Sequence, residues 1–273
     1  MKQCIENPND VDWLGFWAER LEGKINKDWD KAAPGFYKRT RKDDYQHALF
    51  DMIILDENDT VLDVGCGEGS ITIPIAKRVK KVIGIDSSPK MLEYLEKRAE
   101  DNDIDNIETV LKPIEEITYD EIGDVDVVVC SRSLNGIIPI DEVLVELDKI
   151  ANKYVFITVF GPENKKIEKD FEKELGRKTE DFPDYNYFFN ILFNLGIYPN
   201  VERFDLNNYR EYESIEEAMD NGKFRLELYS DEEKELLRDY LERVLTYENG
   251  KYYNVKDKAD WIMVWWKKNR FNY

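Results

Sequence analysis

Three glycines at every second position, Gly65, Gly67 and Gly69, stand between two aspartates in TVLDVGCGEGSITIPIAKRVKKVIGID, residues 60–86. Asp63 lies two residues before the first glycine, and Asp86 follows Gly67 by 19 residues. Alternating glycines let a chain turn tightly and let a ligand approach the backbone. The charge of that ligand decides the chemistry. A dinucleotide site takes the spacing G-x-G-x-x-G and seats a pyrophosphate on the next helix N-terminus. Here the third glycine comes one residue early, Ser70 stands in its place, and Asp63 and Glu68 put negative charge where two phosphates would lie. A G-x-x-x-x-G-K-[ST] phosphate loop is excluded because no lysine follows Gly69. A cationic nucleoside fits better. Acids near the loop attract it in a partly desolvated cleft, and a carboxylate at Asp86 can accept both hydroxyls of a ribose. The alternative is a glycine turn with no ligand.

These residues need a scaffold, and the pattern around them supplies one. TVLDVG, KVIGID, IETVL, VDVVVCS and KYVFITVF are short, β-branched runs, apolar on both faces, as strands of a covered parallel sheet must be. Amphipathic helical segments alternate with them, including SSPKMLEYLEKRAEDN, with Ser87 or Ser88 as N-cap, and IDEVLVELDKIAN. The expected organisation is a helical N-terminal cap segment over residues 1–58, a core over 59–160, an inserted cap over 161–198, and completion of the sheet over 199–273. In the first segment, Val11, Leu14, Trp17 and Leu21 recur at helical spacing, Ala33-Pro34-Gly35 reads as a break, and Tyr45, Ala48, Leu49, Met52 and Ile53 form a second stripe. Near the C-terminus, SIEE at Ser214 and SDEE at Ser230 read as capping boxes, and ENG as a turn.

VLDVGCGEG followed by VIGIDSSPKML resembles the class I methyltransferases that use S-adenosylmethionine. The resemblance is specific over residues 60–96 and looser to about 160. It implies an α/β, Rossmann-like, seven-stranded, mostly parallel sheet with helices on both faces and a reversed last hairpin. The sixth strand falls near Val201–Leu206 and the seventh near Trp261–Trp266. It implies S-adenosylmethionine as cofactor, with Asp63, Gly65 and Gly67 lining the methionine end, Cys66 among the cofactor-binding residues, Asp86 on the ribose, and Ser87 and Met91 near the adenine and ribose. The acid that often follows the third strand in this family is replaced by LKPIEE, so Pro113, Ile114 or Glu115 is expected at the adenine. The Asn/Asp-Pro-Pro-Tyr motif of enzymes acting on exocyclic base amines or glutamine amides is missing. SRSL, Ser131 to Leu134, stands there, which lowers those substrates.

Ligands of open α/β sheets bind at the carboxyl ends of strands. Ser131, Arg132 and Ser133 after the fourth strand, and Thr158 and Phe160 at the end of the fifth, are therefore candidates at the acceptor side. Ser131 is counted with the cofactor set as well. His47, the one histidine, is the side chain with an ordinary pKa near neutrality and a candidate base. Arg132 has two readings, a substrate-carboxylate partner or a structural clamp. Tyr37, Tyr45, Tyr185 and Phe189 are candidate pocket walls or core.

Composition bounds the rest. A net charge of −19 over 273 residues argues against nucleic acid, whose binding draws on Lys and Arg. The one basic run, Lys38 to Lys42, reads as a solvated turn. Cys4, Cys66 and Cys130 are widely spaced and odd in number, which indicates neither a disulfide framework nor a zinc site, and no metal is expected. No signal peptide and no 18-residue apolar run occurs, so the expectation is a cytoplasmic protein. The expected activity is methyl transfer to a small molecule. The alternatives are a protein or peptide acceptor, or a non-catalytic cofactor-binding partner.

Overall fold

The computed structural model describes residues 11–23, 28–38, 44–177, 182–207, 209–221, 226 and 229–268. Cys4 and residues 39–42 of the basic run lie outside them.

A seven-stranded sheet forms the centre. Its strands are β1 (Thr60–Val64), β2 (Lys81–Asp86), β3 (Ile107–Leu111), β4 (Val125–Ser131), β5 (Ala151–Phe160), β6 (Asn200–Arg203) and, late in the chain, β10 (Trp261–Lys267). Their spatial order is β3-β2-β1-β4-β5-β10-β6. The first five run parallel, and β10 runs antiparallel to both β5 and β6. This is the expected α/β architecture, with the reversed strand where WIMVWWK predicts it. The sixth and seventh strands are neighbours in the sheet, but 57 residues separate them in the chain.

Helices cover both faces. One face packs α1 (Trp13–Leu21), α7 (Ile140–Ile150) and α9 (Tyr185–Asn194) against Leu62, Val64, Val128, Val155 and Ile157. The other packs α3 (Tyr45–Met52) and α4 (Thr72–Ala76) against Val61, Val127, Val129, Phe156 and Met263. The alternation along β5 explains the division: Val155, Ile157 and Val159 point one way and Phe156 the other. Helix α5 (Pro89–Asp101) starts at the N-cap Ser88 and lays Leu92 and Leu95 against Cys66 and Ile73. A short α6 (Tyr119–Ile122) lies between β3 and β4.

Helix α2 (Trp29–Lys38) runs through Ala33-Pro34-Gly35, where the sequence reads as a break. Packing on α5 overrides the local signal: Ala33 is fully buried and Tyr37 stacks on Tyr94 with ring centres 4.3 Å apart. The helix after the glycines begins at Thr72, two residues later than Ser70.

A second, smaller body is inserted between β6 and β10. Strands β7 (Tyr209–Tyr212), β8 (Thr246–Glu248) and β9 (Lys251–Lys258) form an antiparallel sheet in the order β7-β9-β8. With it come α10 (Ile215–Asn221), α11 (Asp231–Val244) and, from before β6, α8 (Lys166–Glu174). Ile167, Phe171, Tyr212, Ile215, Leu237, Tyr240 and Leu241 share its core. The segment 161–198 thus divides, α8 joining this body and α9 the main sheet. Ser230 and Glu233 make a full capping box. Ser214 caps Glu217 N, while the Glu217 carboxylate accepts from Glu213 N, one residue further out. The turn at Asn249-Gly250, both with positive φ, closes the β8–β9 hairpin.

Candidate active site

The glycine loop leaves β1 and is sewn to β2. The Gly65 and Cys66 amides both donate to Ile85 O, at 2.8 and 3.0 Å. All three glycines have positive φ, +71°, +55° and +84°, but they are glycine for different reasons. A Cβ on Gly65 would stand 2.4 Å from Ser133 Cβ, and one on Gly69 would stand 2.4 Å from Leu95 Cδ1. These two positions are closed by packing. A Cβ on Gly67 would meet only Met91 Sδ, at 3.9 Å. The space beside Gly67 is open, so this is the glycine that lets a ligand approach the backbone.

Asp86 faces that space. Its Oδ2 accepts from Gly67 N and its Oδ1 from Ser88 N, both at 2.9 Å. A carboxylate offers about four lone-pair directions, and with the Ser87 amide also facing this one, a direction is left for a ligand hydroxyl. Burial raises the Asp86 pKa; the Ser88 and Gly67 amides oppose this, and the nearby Glu68 adds to it. Asp63 is buried beneath the loop and accepts from the Thr72 hydroxyl at 2.7 Å. Its carboxyl is pushed up to about 7, first by burial and further by the charges of Asp86 and Glu68. Glu68 is buried as well. Three acids thus converge on one loop, and the charges of Asp86 and Glu68 disfavour ionisation of Asp63. A ligand cation would relieve them and a pyrophosphate would add to the repulsion. The donor set fits an aminoacyl nucleoside with an ammonium and a sulfonium.

The remaining predicted residues distribute as follows. Met91 is buried beside Gly67, and Ser87 is exposed at the start of α5. Lys112 N donates to Asp86 O, which brings the end of β3 beside that of β2. Beyond it, Ile114 is buried with Cδ1 near Gly65, while Pro113 and Glu115 are exposed. Burial pushes the Cys66 thiol well above its ordinary value, so it is a packing group in the loop. Ser133 donates to Val64 O at 2.6 Å, which holds the segment after β4 on the loop. Arg132 has a left-handed backbone, φ +62°, and its guanidinium lies 4.0 Å above the Tyr45 ring. Tyr45 stacks on Phe204 with its other face, which favours the structural reading of both residues. Phe160 packs on Trp261. His47 is on the exposed side of α3, away from this assembly. Tyr37 lies on α5; Tyr185 and Phe189 are half-buried on α9.

Several contacts had no sequence signal. Asp30 of α2 accepts from the Ser88 hydroxyl at 2.5 Å and from Lys90 N at 3.2 Å, at the head of α5. Trp17 Nε1 donates to Ile137 O at 2.7 Å. Asn135, buried after β4, accepts from Phe160 N through Oδ1, and its Nδ2 has no partner among the described residues. This buried amide donor at the strand ends stands open to one more oxygen, of a water or of a ligand.

The chain matches the family model described as a methyltransferase domain over residues 55–193, just over half its length. It is 27% identical over 245 residues to an uncharacterised protein of Haemophilus influenzae, covering 89% of each. A 68-residue stretch is 38% identical to the 23S rRNA (uracil(1939)-C(5))-methyltransferase of Aliivibrio fischeri, covering 25% of this chain and 16% of that one. A solved structure from Bacillus halodurans, assigned as a methyltransferase, superposes with a TM-score of 0.56 at 18% identity, covering 81% of this chain and 97% of that one. That likeness concerns the fold. With the domain match spanning the glycine loop, Asp86 and the strand ends that carry the site, the chain belongs to the class I S-adenosylmethionine-dependent methyltransferases.

Proposed function

We propose that the acceptor is a small molecule, methylated in a site closed over by the N-terminal helices. One observation carries this reading. Helices α1, α2 and α3 are each bonded to a different part of the sheet's carboxyl edge: Trp17 to Ile137 in the loop after β4, Asp30 to Ser88 after β2, and Tyr45 to Ser131 and Thr158 on β4 and β5. A roof tied down at three places suits an acceptor that fits beneath it. An RNA or a folded protein would need an open edge, and the net charge of −19 also disfavours RNA. Free, buried Cys66 and Cys130 suit a reducing, cytoplasmic setting.

When bound, S-adenosylmethionine supplies an electrophilic methyl group on a leaving group that needs no protonation. In this reading Asp86 accepts the ribose hydroxyls, Asp63 and Glu68 attract the ammonium, and Gly65, Cys66 and Gly67 give the backbone wall. Ser87, Met91, Pro113 and Ile114 border the adenosine. Asn135 Nδ2, which has no partner among the described residues, would hold an acceptor oxygen in this reading. Ser131, at the end of β4, would lie toward the acceptor side, with Arg132 holding the scaffold behind it through Tyr45. Holding the nucleophile in line and excluding water can contribute roughly 7 to 11 kcal/mol to the rate.

The test uses methyl-labelled cofactor, the purified protein and a size-fractionated extract from a host lacking the gene. Label in small solutes supports the reading. Label in protein, or label released by ribonuclease, overturns it. Absence of label despite binding that Asp86→Ala abolishes would point to a non-catalytic binding protein.

A further inference from the structure

The main sheet ends on one side at β3, whose outer edge pairs with no strand among the described residues. Two bonds at its ends fix which backbone groups face out. Val82 N donates to Asn106 O, and Lys112 N donates to Asp86 O. Backbone direction alternates along a strand, so residues 106, 108, 110 and 112 bond to β2. The amides and carbonyls of Ile107, Thr109 and Leu111 therefore point away from the sheet, and none of them has a hydrogen-bond partner among the described residues.

Proteins blunt such edges with lysine, proline, a bulge or a covering segment. IETVL contains neither lysine nor proline, and its register on β2 is unbroken. Its one charge, Glu108, is paired with Lys81 at 2.7 Å. Leu111 closes the strand with 58% of its surface exposed. The charge around this edge is one-sided. Residues 96–124, which lead into the strand and away from it, hold eleven acids against three bases, a net −8 of the chain's −19. Asp101, Asp103 and Asp105 before the strand, and Asp120 and Asp124 after it, are exposed and make no ion pair among the described residues. Two copies of this edge would bring like charges together, which disfavours self-pairing. The same field attracts a basic segment.

We propose that β3 is a docking edge for a second protein, which adds an extended segment rich in lysine or arginine as an eighth strand of the sheet. The main chain of that segment bonds to Ile107, Thr109 and Leu111, an apolar side chain covers Leu111, and its basic side chains meet the aspartates. Strands β2 and β1 stand between this edge and β4, so the surface is distinct from the acceptor site proposed above.

The probe is a labelled synthetic peptide that alternates lysine and valine. On binding, the amides of Ile107, Thr109 and Leu111 should exchange more slowly by NMR, while those of Glu108 and Val110, already bonded to β2, change little. Thr109→Pro removes one outward N–H and leaves the ladder to β2 intact, at a place where an edge strand tolerates proline. It should weaken the peptide about tenfold or more and leave the affinity for S-adenosylhomocysteine unchanged. N-methylation of the peptide's alternate amides should give the same loss with the protein unaltered. Asp103→Asn combined with Asp105→Asn should weaken binding at low ionic strength, and the difference should vanish at high salt. Three results overturn the proposal: no binding to the unmodified protein, equal binding of the N-methylated peptide or of a glutamate–valine peptide, or unchanged affinity in Thr109→Pro. Dimerisation of the protein alone that protects the same three amides would overturn it as well, because the occupant would then be a second copy.

Discussion

Replacing Asp63 by Asn tests the electrostatic account of the loop directly. The wild-type carboxyl titrates at about 7 in the folded chain, against 3.8 ordinarily. In the window between these values the folded protein holds a proton that the unfolded chain has released. This contribution to stability is therefore present at low pH and is lost as pH rises through about 7. With those two pKa values, linkage gives a loss of about 2 kcal/mol between pH 5.5 and pH 8. The side-chain amide introduced by Asp63→Asn cannot titrate but can still accept from Thr72. Urea unfolding of both proteins at the two pH values reads this group together with its coupling to Asp86 and Glu68, while carboxylates remote from the loop cancel in the difference. The wild type should lose about 2 kcal/mol relative to the variant on going from pH 5.5 to 8. The same proton opposes a cationic ligand, so wild-type affinity for S-adenosylhomocysteine should fall as pH drops below 7, and Asp63→Asn should lack that slope. An equal stability difference at both pH values would refute the reasoning, since Asp63 would then be ionised and compensated throughout.

Two further perturbations examine the loop and its roof. Gly67→Ala places a methyl group in open space at φ +55°, so it should cost about 1 kcal/mol of stability and weaken S-adenosylhomocysteine tenfold or more. Gly65→Ala meets Ser133 Cβ at 2.4 Å and should show its main effect as a loss of about 2 to 3 kcal/mol in urea unfolding. Asp30→Ala removes the acceptor for Ser88 Oγ and Lys90 N, so amide exchange in α2 should accelerate while the exchange of β1 and β4 stays constant.

Much of the core was legible because its signals are local. Strands β1, β2 and β4 are runs of Val and Ile, and the helices between them carry apolar residues on one face, with a periodicity that survives any tertiary arrangement. The second sheet left no such mark. YREY, TYE and KYYNVKDK are short, aromatic and charged, and they lack a clean two-residue alternation of burial. Only the Asn249-Gly250 turn announced the hairpin they form. Helix α2 misled in the opposite way, since Pro34 and Gly35 are strong breakers whose effect is overridden by the burial of Ala33 on α5.

By itself, the sequence determined that acids accompany the glycine loop and that strands alternate with helices from residue 60 to 160. Asp63 and Glu68 lie within two residues of a loop glycine and stay beside it in any fold, and Asp86 reaches Gly67 because a strand–loop–helix–strand unit of this length packs as a right-handed parallel pair. Tertiary structure alone decided which glycine has open space beside it, because Ser133 and Leu95 arrive from other elements to close off Gly65 and Gly69. It also decided the roof and the meeting of the Tyr45, Ser131 and Thr158 hydroxyls. Those depend on pairs 120 residues apart, Trp17 and Ile137, and 86 apart, Tyr45 and Ser131. Single directional hydrogen bonds between distant segments impose no periodicity on either partner, so nothing in the linear pattern records them.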